Sequence, residues 1–570
     1  MLATAGLLGC ADDATDTPAA SSSGTTGGEA ATSSSDGGVA DTGDTTAATL
    51  DGTDSGGSDG SGSSDESSGD STGEGSVCPP VPYTALRGDT YGGLSGWVVT
   101  MAGDFDGDGI GDYALSTPRA DGMLTTDSGR VHVVRGGQGY DDIDLGEVGD
   151  MVQGWVIEGE QSNHRAGDQL SAAYDVDGDG FDDLLLSSTV APLGAAPEEQ
   201  GRWSVVGGRE FTSTVEPILL ADIALGDGGF AIDGRSSAPF PGFPVSGIGV
   251  GDLNGDELAD ILLGVPFAGG LAGPSMADVL FGRDDAPGTI LIGDGGPPAG
   301  EGFEFFTDFG FTGFVVGAGG DINGDDVPDF LVGANPDGEV IVYAVFGGED
   351  VDTRTLDDLA MGIGGFAIDV DIVDPLVGDP GVFAILGDID GDGMDDIGFS
   401  VSQPLPEDGQ PAGIGVVWGK ADTDRVSLEA TFAGTGGFVS TRAAGDTNRL
   451  LGQDIGGAGD INGDGFADFY VVAGADPQTA LGGDDLRGKV YVAYGGDGID
   501  AVDLTAVDEE TAGFVFESPV VNDDFGHSID GGADVNGDGI PDLVIGAPQD
   551  GPFGTVYVVY GFNEACPRVR

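Results

Sequence analysis

Basic residues are scarce in this chain. Its 18 Lys and Arg stand against 100 Asp and Glu, for a formal net charge of −82. That balance excludes nucleic acid as a direct partner, because holding a phosphate backbone relies on Lys and Arg. The excess of one sign also favours solubility and repels like-charged surfaces. Histidine is nearly absent: His132, His164 and His527 share no motif spacing, and packing accounts for them. No H-E-x-x-H and no P-loop appears. Carboxylate pairs are abundant enough for glycosidase chemistry, but nearly all the clustered ones belong to one repeated loop.

That loop is typified by Asp534-Val-Asn-Gly-Asp-Gly-Ile-Pro-Asp542 and occurs seven times, beginning at Asp104, Asp175, Asp252, Asp321, Asp388, Asp460 and Asp534. Positions one, three, five and nine carry oxygen in every copy. The first two sets are Asp104, Asp106, Asp108, Asp112 and Asp175, Asp177, Asp179, Asp183. The third and fourth are Asp252, Asn254, Asp256, Asp260 and Asp321, Asn323, Asp325, Asp329. The last three are Asp388, Asp390, Asp392, Asp396, then Asp460, Asn462, Asp464, Asp468, then Asp534, Asn536, Asp538, Asp542. Two carboxylates ~5 Å apart repel by about 3 kcal/mol at an effective dielectric near 20. A hard divalent cation converts that repulsion into binding, and Ca²⁺ takes a flexible shell of oxygens. Up to seven Ca²⁺ ions are therefore expected.

An EF-hand shares the opening of this motif but needs a bidentate Glu at position twelve. Position twelve is Leu115, Leu186, Leu263, Val332, Phe399, Val471 and Ile545. The EF-hand is excluded. Position six is Gly in five loops but Glu257 and Asp326 in the third and fourth. A side chain there is strained if φ is positive. Both loops also carry Asn at position three, so they are expected to bind Ca²⁺ most weakly.

What surrounds each loop reads as strand. Asp542-Leu-Val-Ile-Gly-Ala-Pro548 is a short apolar run ended by Gly and Pro, and Gly554-Thr-Val-Tyr-Val-Val-Tyr-Gly561 is β-branched and aromatic. Strands such as Gly154-Trp-Val-Ile157 and Gly365-Phe-Ala-Ile368 precede each new loop, and glycine-rich runs lead into it. Loop starts are spaced 71, 77, 69, 67, 72 and 74 residues apart. Four strands per repeat and seven repeats predict an all-β, seven-bladed β-propeller with a calcium loop in every blade.

The ends differ from this core. Residues 1–10 finish in Leu7-Leu8-Gly9-Cys10, like the end of a bacterial lipoprotein signal peptide in which Cys10 is acylated, although the basic leader is missing and translation is expected to start upstream. Residues 11–77 are almost wholly Ser, Thr, Gly, Ala and Asp, without an aromatic, Lys or Arg. They cannot bury enough apolar surface to offset ordering entropy, so an acidic, disordered stalk is expected. The propeller is expected over 78–566, with 567–570 as a tail. Its last repeat runs out before a fourth strand, and Tyr83–Arg87 stands ready to supply one, removing an open edge. Cys78 and Cys566 bracket the repeats, and a disulfide between them would pin that closure in an oxidising compartment.

Residues 79–566 resemble the FG-GAP propeller of integrin α subunits and their bacterial relatives. The resemblance is carried by Phe525-Gly526, the Asp534–Asp542 loop, Gly546-Ala547-Pro548 and Gly554-Thr-Val-Tyr-Val558. It is looser in the first repeat, which has Tyr91-Gly92 and Ser116-Thr-Pro118 at the matching places. It implies a monomeric, calcium-binding adhesion or binding module presenting loops to a protein or polysaccharide. A propeller lectin or polysaccharide-acting enzyme is the alternative, and no catalytic residues are assigned. Arg87-Gly88-Asp89 spells a tripeptide that some integrins bind, but a turn at a strand end accounts for it. The expected location is the bacterial cell envelope, at the outer membrane or cell surface, with the lipid anchor as the sole membrane contact. Cys10→Ser should release the protein from the membrane fraction, since acyl chains supply ~0.8 kcal/mol per buried CH₂. A variant that stays membrane-bound to the same degree contradicts the anchor.

Overall fold

The computed structural model describes residues 82–562 apart from short connecting stretches, the longest being 189–201, 235–245, 371–381, 402–412, 442–450 and 474–486. Cys10, Cys78, Cys566, the expected stalk over 11–77 and residues 567–570 lie outside the described residues.

The described chain forms seven antiparallel sheets. In the first blade Val99–Gly103, Asp112–Thr117, Arg130–Val134 and Gly154–Glu158 pair in sequence order. The innermost strands of the other six are Ala166–Tyr174, Ser246–Gly251, Val316–Gly320, Phe383–Gly387, Leu451–Gly459 and Ile529–Ala533. Each packs on the innermost strand of the next blade, and Ile529–Ala533 returns to Val99–Gly103, so the ring is closed. These strands are rich in Gly and Ala because seven of them converge on one axis. At Gly249 a Cβ would stand 2.7 Å from the Cα of Ala173 in the neighbouring blade.

The last blade takes its outer strand from the other end of the chain. Tyr83–Arg87 pairs antiparallel with Thr555–Val559, from Tyr83 opposite Val559 to Arg87 opposite Thr555. The strand that closes the ring thus lies where the sequence placed it. The outer strands of the first six blades open on Gly instead. At Gly437 φ is 148°, and a Cβ would stand 1.9 Å from the Val416 carbonyl.

The four-strand reading missed one device. Among the described residues a short parallel strand covers the outermost edge in four blades, as Asp142–Asp144 does for Tyr83–Arg87 and Ile218–Leu219 for Gly154–Glu158. Each belongs to the connection of the following blade. Two- or three-residue strands leave little trace in a hydrophobic pattern, yet they cap an exposed edge and tie neighbours together.

The core is a set of apolar layers, one between each pair of adjacent blades. Leu86 of the closing strand is fully buried in the layer that joins the last blade to the first, with Val556, Val558, Val99 and Leu115. Leu86→Ala should therefore weaken ring closure and cost about 2–5 kcal/mol. Urea denaturation of the full chain checks this, and a loss below about 0.5 kcal/mol would mean that the closing strand is not integral to the fold.

Candidate metal loops at the blade junctions

Every acidic loop joins the first and second strands of its blade. The first strand ends in a register shift in all seven blades, as between Met101 and Gly103 or Gly531 and Ala533. Such a bulge bends the strand and turns the chain into the loop.

Within the loop the carboxylates first organise the backbone. The position-one Asp accepts the N–H of position five through Oδ1 and that of position six through Oδ2 in all seven copies; in the last loop these are Asp538 to Asp534 Oδ1 at 3.1 Å and Gly539 to Oδ2 at 2.6 Å. The position-five Asp accepts the position-seven N–H at 2.9–3.0 Å throughout. Positions four and six lie at positive φ, including Glu257 at 73° and Asp326 at 65°. The strain expected at those two positions is therefore present.

Position nine behaves differently. Asp112, Asp183, Asp260, Asp329, Asp396, Asp468 and Asp542 each begin a second strand and are buried. Each accepts through Oδ1 the N–H of the glycine that follows the third strand, at 2.7–3.0 Å. In loops two to seven Oδ2 also accepts the position-two N–H, at 2.8–3.1 Å. This carboxylate ties loop to blade whether or not it also meets a cation.

The loops also join blade to blade. The residue after that same glycine donates its N–H to the position-two carbonyl of the preceding loop. The bonds run Gly137 to Val535, Arg209 to Phe105, Arg283 to Val176, Gly348 to Leu253, Lys420 to Ile322, Gly496 to Ile389 and Phe562 to Ile461, all at 2.8–2.9 Å. A second link runs from the position-eight N–H to the preceding position-one carbonyl in five junctions, such as Gly111 to Asp534 at 3.0 Å. The other two have Pro328 and Pro541 at position eight and so lack the donor. At five junctions the position-seven side chain covers the preceding position-four glycine, as where a Cβ on Gly391 would stand 2.6 Å from Phe466; a Cβ on Gly255 would meet nothing within 4 Å.

The oxygens left over suit a cation. Carboxylate oxygens of Asp175, Asp177 and Asp183, of Asp388, Asp390 and Asp396, and of Asp104, Asp106 and Asp108 all lie within 4.8 Å of one another. Opposite ligands of a Ca²⁺ stand roughly 4.6–5.2 Å apart, so each of the first two trios can share one ion, whereas in the third Asp106 and Asp108 pair with Arg135. The amide oxygens of Asn254 and Asn462 are buried without a hydrogen-bond partner. Leaving such an acceptor unpaired costs about 1–3 kcal/mol, which an ion would relieve. The residues present thus fit Ca²⁺.

The remaining singled-out residues serve the fold. Asp89 of the Arg-Gly-Asp tripeptide accepts from Arg130 at 3.0 Å, and Arg87 closes the last blade. His132 is buried, and that burial holds its pKa down at about 4. His527 packs on Trp97 with ring centres 4.2 Å apart.

Burial is the main cause that pushes the position-nine carboxyls up, to about 8 for Asp112, Asp183, Asp396 and Asp468 and about 7 for Asp260, Asp329 and Asp542. Neighbouring loop carboxylates add to the rise, and the backbone N–H bonds oppose it. The unfolded chain releases these protons near pH 4, while the metal-free fold retains them until about pH 7–8. The unfolded state then binds fewer protons than the folded one, so stability falls as pH rises across that window. In chelator, the urea midpoint should move steadily down between about pH 4 and 8. A midpoint that rises with pH contradicts this.

Residues 525–559 match the FG-GAP repeat model. The chain is 28% identical over 271 residues to integrin alpha-PS2 of Drosophila melanogaster, covering 45% of this chain and 16% of that protein. It is 38% identical over 111 residues to a phosphatidylinositol-glycan-specific phospholipase D of Rattus norvegicus, covering 18% of this chain and 12% of that one. The chain therefore spans a minor part of the curated relatives it matches. A solved exotype rhamnogalacturonan lyase aligns over 88% of this chain and 75% of its own at 12% identity, with a TM-score of 0.33. The closed ring of seven sheets is a β-propeller, and the repeat match and integrin alpha relatives make it similar to FG-GAP, integrin-type propellers.

Proposed function

We propose that this propeller is a calcium-stabilised binding module that presents its loops to a protein or polysaccharide. The observation that carries the reading is the repeated junction loop, whose carboxylate oxygens converge within one ion's reach in loops two and five at the same places that bond neighbouring blades. Positions one, three and five, with the free lone pairs of position nine, would hold the ion. Its contribution is charge neutralisation, which lets several carboxylates stand together next to a hydrogen-bonded seam. The integrin alpha relatives make adhesion the favoured role over catalysis. The stalk over 11–77 and an acylated Cys10 would hold the module away from a cell-envelope membrane. Among the described residues no helix is long and apolar enough to cross one.

At a ligand concentration one hundred times Kd, each site adds about 2.7 kcal/mol if the unfolded chain does not bind. Several filled sites then rival the ~5–15 kcal/mol stability of a typical domain. A chelator should lower Tm by on the order of 10 °C or more. Monovalent salt should restore only part of the loss, because it screens without coordinating. Mg²⁺ should restore less than Ca²⁺, being smaller and slow to shed water. Superimposable melts in excess Ca²⁺ and in chelator would contradict the reading. Binding to a glycan array without turnover of acidic polysaccharides separates a binding module from an enzyme.

A further inference from the structure

The first loop already contains a cation, and it is an arginine. Arg135 directs Nε to Asp106 Oδ2 and an Nη to Asp108 Oδ2, the carboxylates at positions three and five. In the other blades the residue at this position, before the glycine that follows the third strand, is uncharged: Gly207, Phe281, Phe346, Trp418, Tyr494 or Tyr560. The guanidinium is held from behind as well. Its other Nη donates to Gln153 Oε1 at 3.1 Å, and its carbon lies 5.7 Å from the centre of the Phe211 ring, which packs on Trp155. Stacking and a planar donor fork are the features that make arginine a fixed counter-ion for carboxylates.

Loop one differs from the others in the way such an occupant requires. In loops two and five the converging oxygens come from positions one, three and nine, whereas in loop one they come from positions one, three and five. Position five has been drawn in, and position nine has been left out. Asp112 Oδ2 is buried without a hydrogen bond, while its six counterparts accept the position-two N–H.

We infer that Arg135 is the resident cation of the first loop, which binds Ca²⁺ only when the guanidinium is removed. The inference rests on the calcium reading of the remaining loops. It places loop one below loops three and four in affinity, although its sequence, with Asp at positions one, three, five and nine and Gly at four and six, reads as a complete site. One blade junction is then neutralised at any calcium concentration. It is the junction of the first and second blades, where Phe105 and Trp155 share an apolar layer with Phe211 packed against it.

Backbone amide exchange of the full chain, with and without millimolar Ca²⁺, tests this together with the Ca²⁺ count after equilibrium dialysis. In the wild type, Gly180 and Phe181 of loop two should exchange at least about tenfold more slowly in Ca²⁺, and Gly109 and Ile110 of loop one should not change. In Arg135→Gln, Gly109 and Ile110 should become calcium-sensitive, with one more Ca²⁺ bound per chain than in the wild type. Loop-one amides that respond in the wild type as loop two does would overturn the inference, and this arm needs no variant to fold. A folded Arg135→Gln chain with an unchanged count would also overturn it. If no loop of the wild type responds, the calcium reading itself falls. Arg135→Gln then still decides, since one new site keeps the arginine's role and none ends it.

Discussion

The structure depends on a closed circle of backbone hydrogen bonds between each blade and the loop of the blade before it. Apolar layers hold the blades at the right distance, but such contacts are non-directional and tolerate sliding. The bonds from residues such as Gly137 and Phe562 to position-two carbonyls fix the register. They can form only if each loop keeps its shape, and that shape is drawn by carboxylates at positions one, five and nine. The concentration of negative charge is therefore a consequence of how the blades are joined. A chain at −82 would accept it if a bound cation offset each cluster, as Arg135 offsets part of the first from within.

Under the proposed calcium reading, neutralisation would link stability to ligand. Where N–H groups already satisfy part of each carboxylate, a cation need supply only the remaining field, and loops with Asn at position three carry less charge to offset. Loops three and six differ from four and seven within that group. Asn254 and Asn462 leave an unpaired buried oxygen, whereas Asn536 accepts the Asp538 N–H at 2.9 Å. Substitution of Asp by Asn is thus not one change repeated. The consequence depends on where the amide finds its partner.

Much of this was legible in the residues. The nine-residue spacing of oxygens, the glycines at positions four and six, and the unfilled last blade gave the architecture and the closing strand, because each reflects a local backbone requirement. Positive φ at Glu257 and Asp326 followed from their place among glycines. The seam between blades was harder to see, since it is made of main-chain groups that have no side-chain signature. Its traces were the glycine after each third strand and the two prolines, Pro328 and Pro541, that remove a donor. Arg135 was in plain view as one of few basic residues, but sequence distance from Asp106 and Asp108 concealed its role. Burial of the position-nine carboxylates likewise depends on packing that spacing alone does not report.

Under the proposed reading, Ca²⁺ sits in the junction loops where the blades are stitched together. Anomalous scattering from a crystal grown in millimolar Ca²⁺ tests it most directly. The account predicts a peak about 2.3–2.6 Å from the position-one and position-three oxygens of loops two to seven. Ordered loops without such peaks, their carboxylates satisfied by backbone N–H groups and water alone, would contradict it.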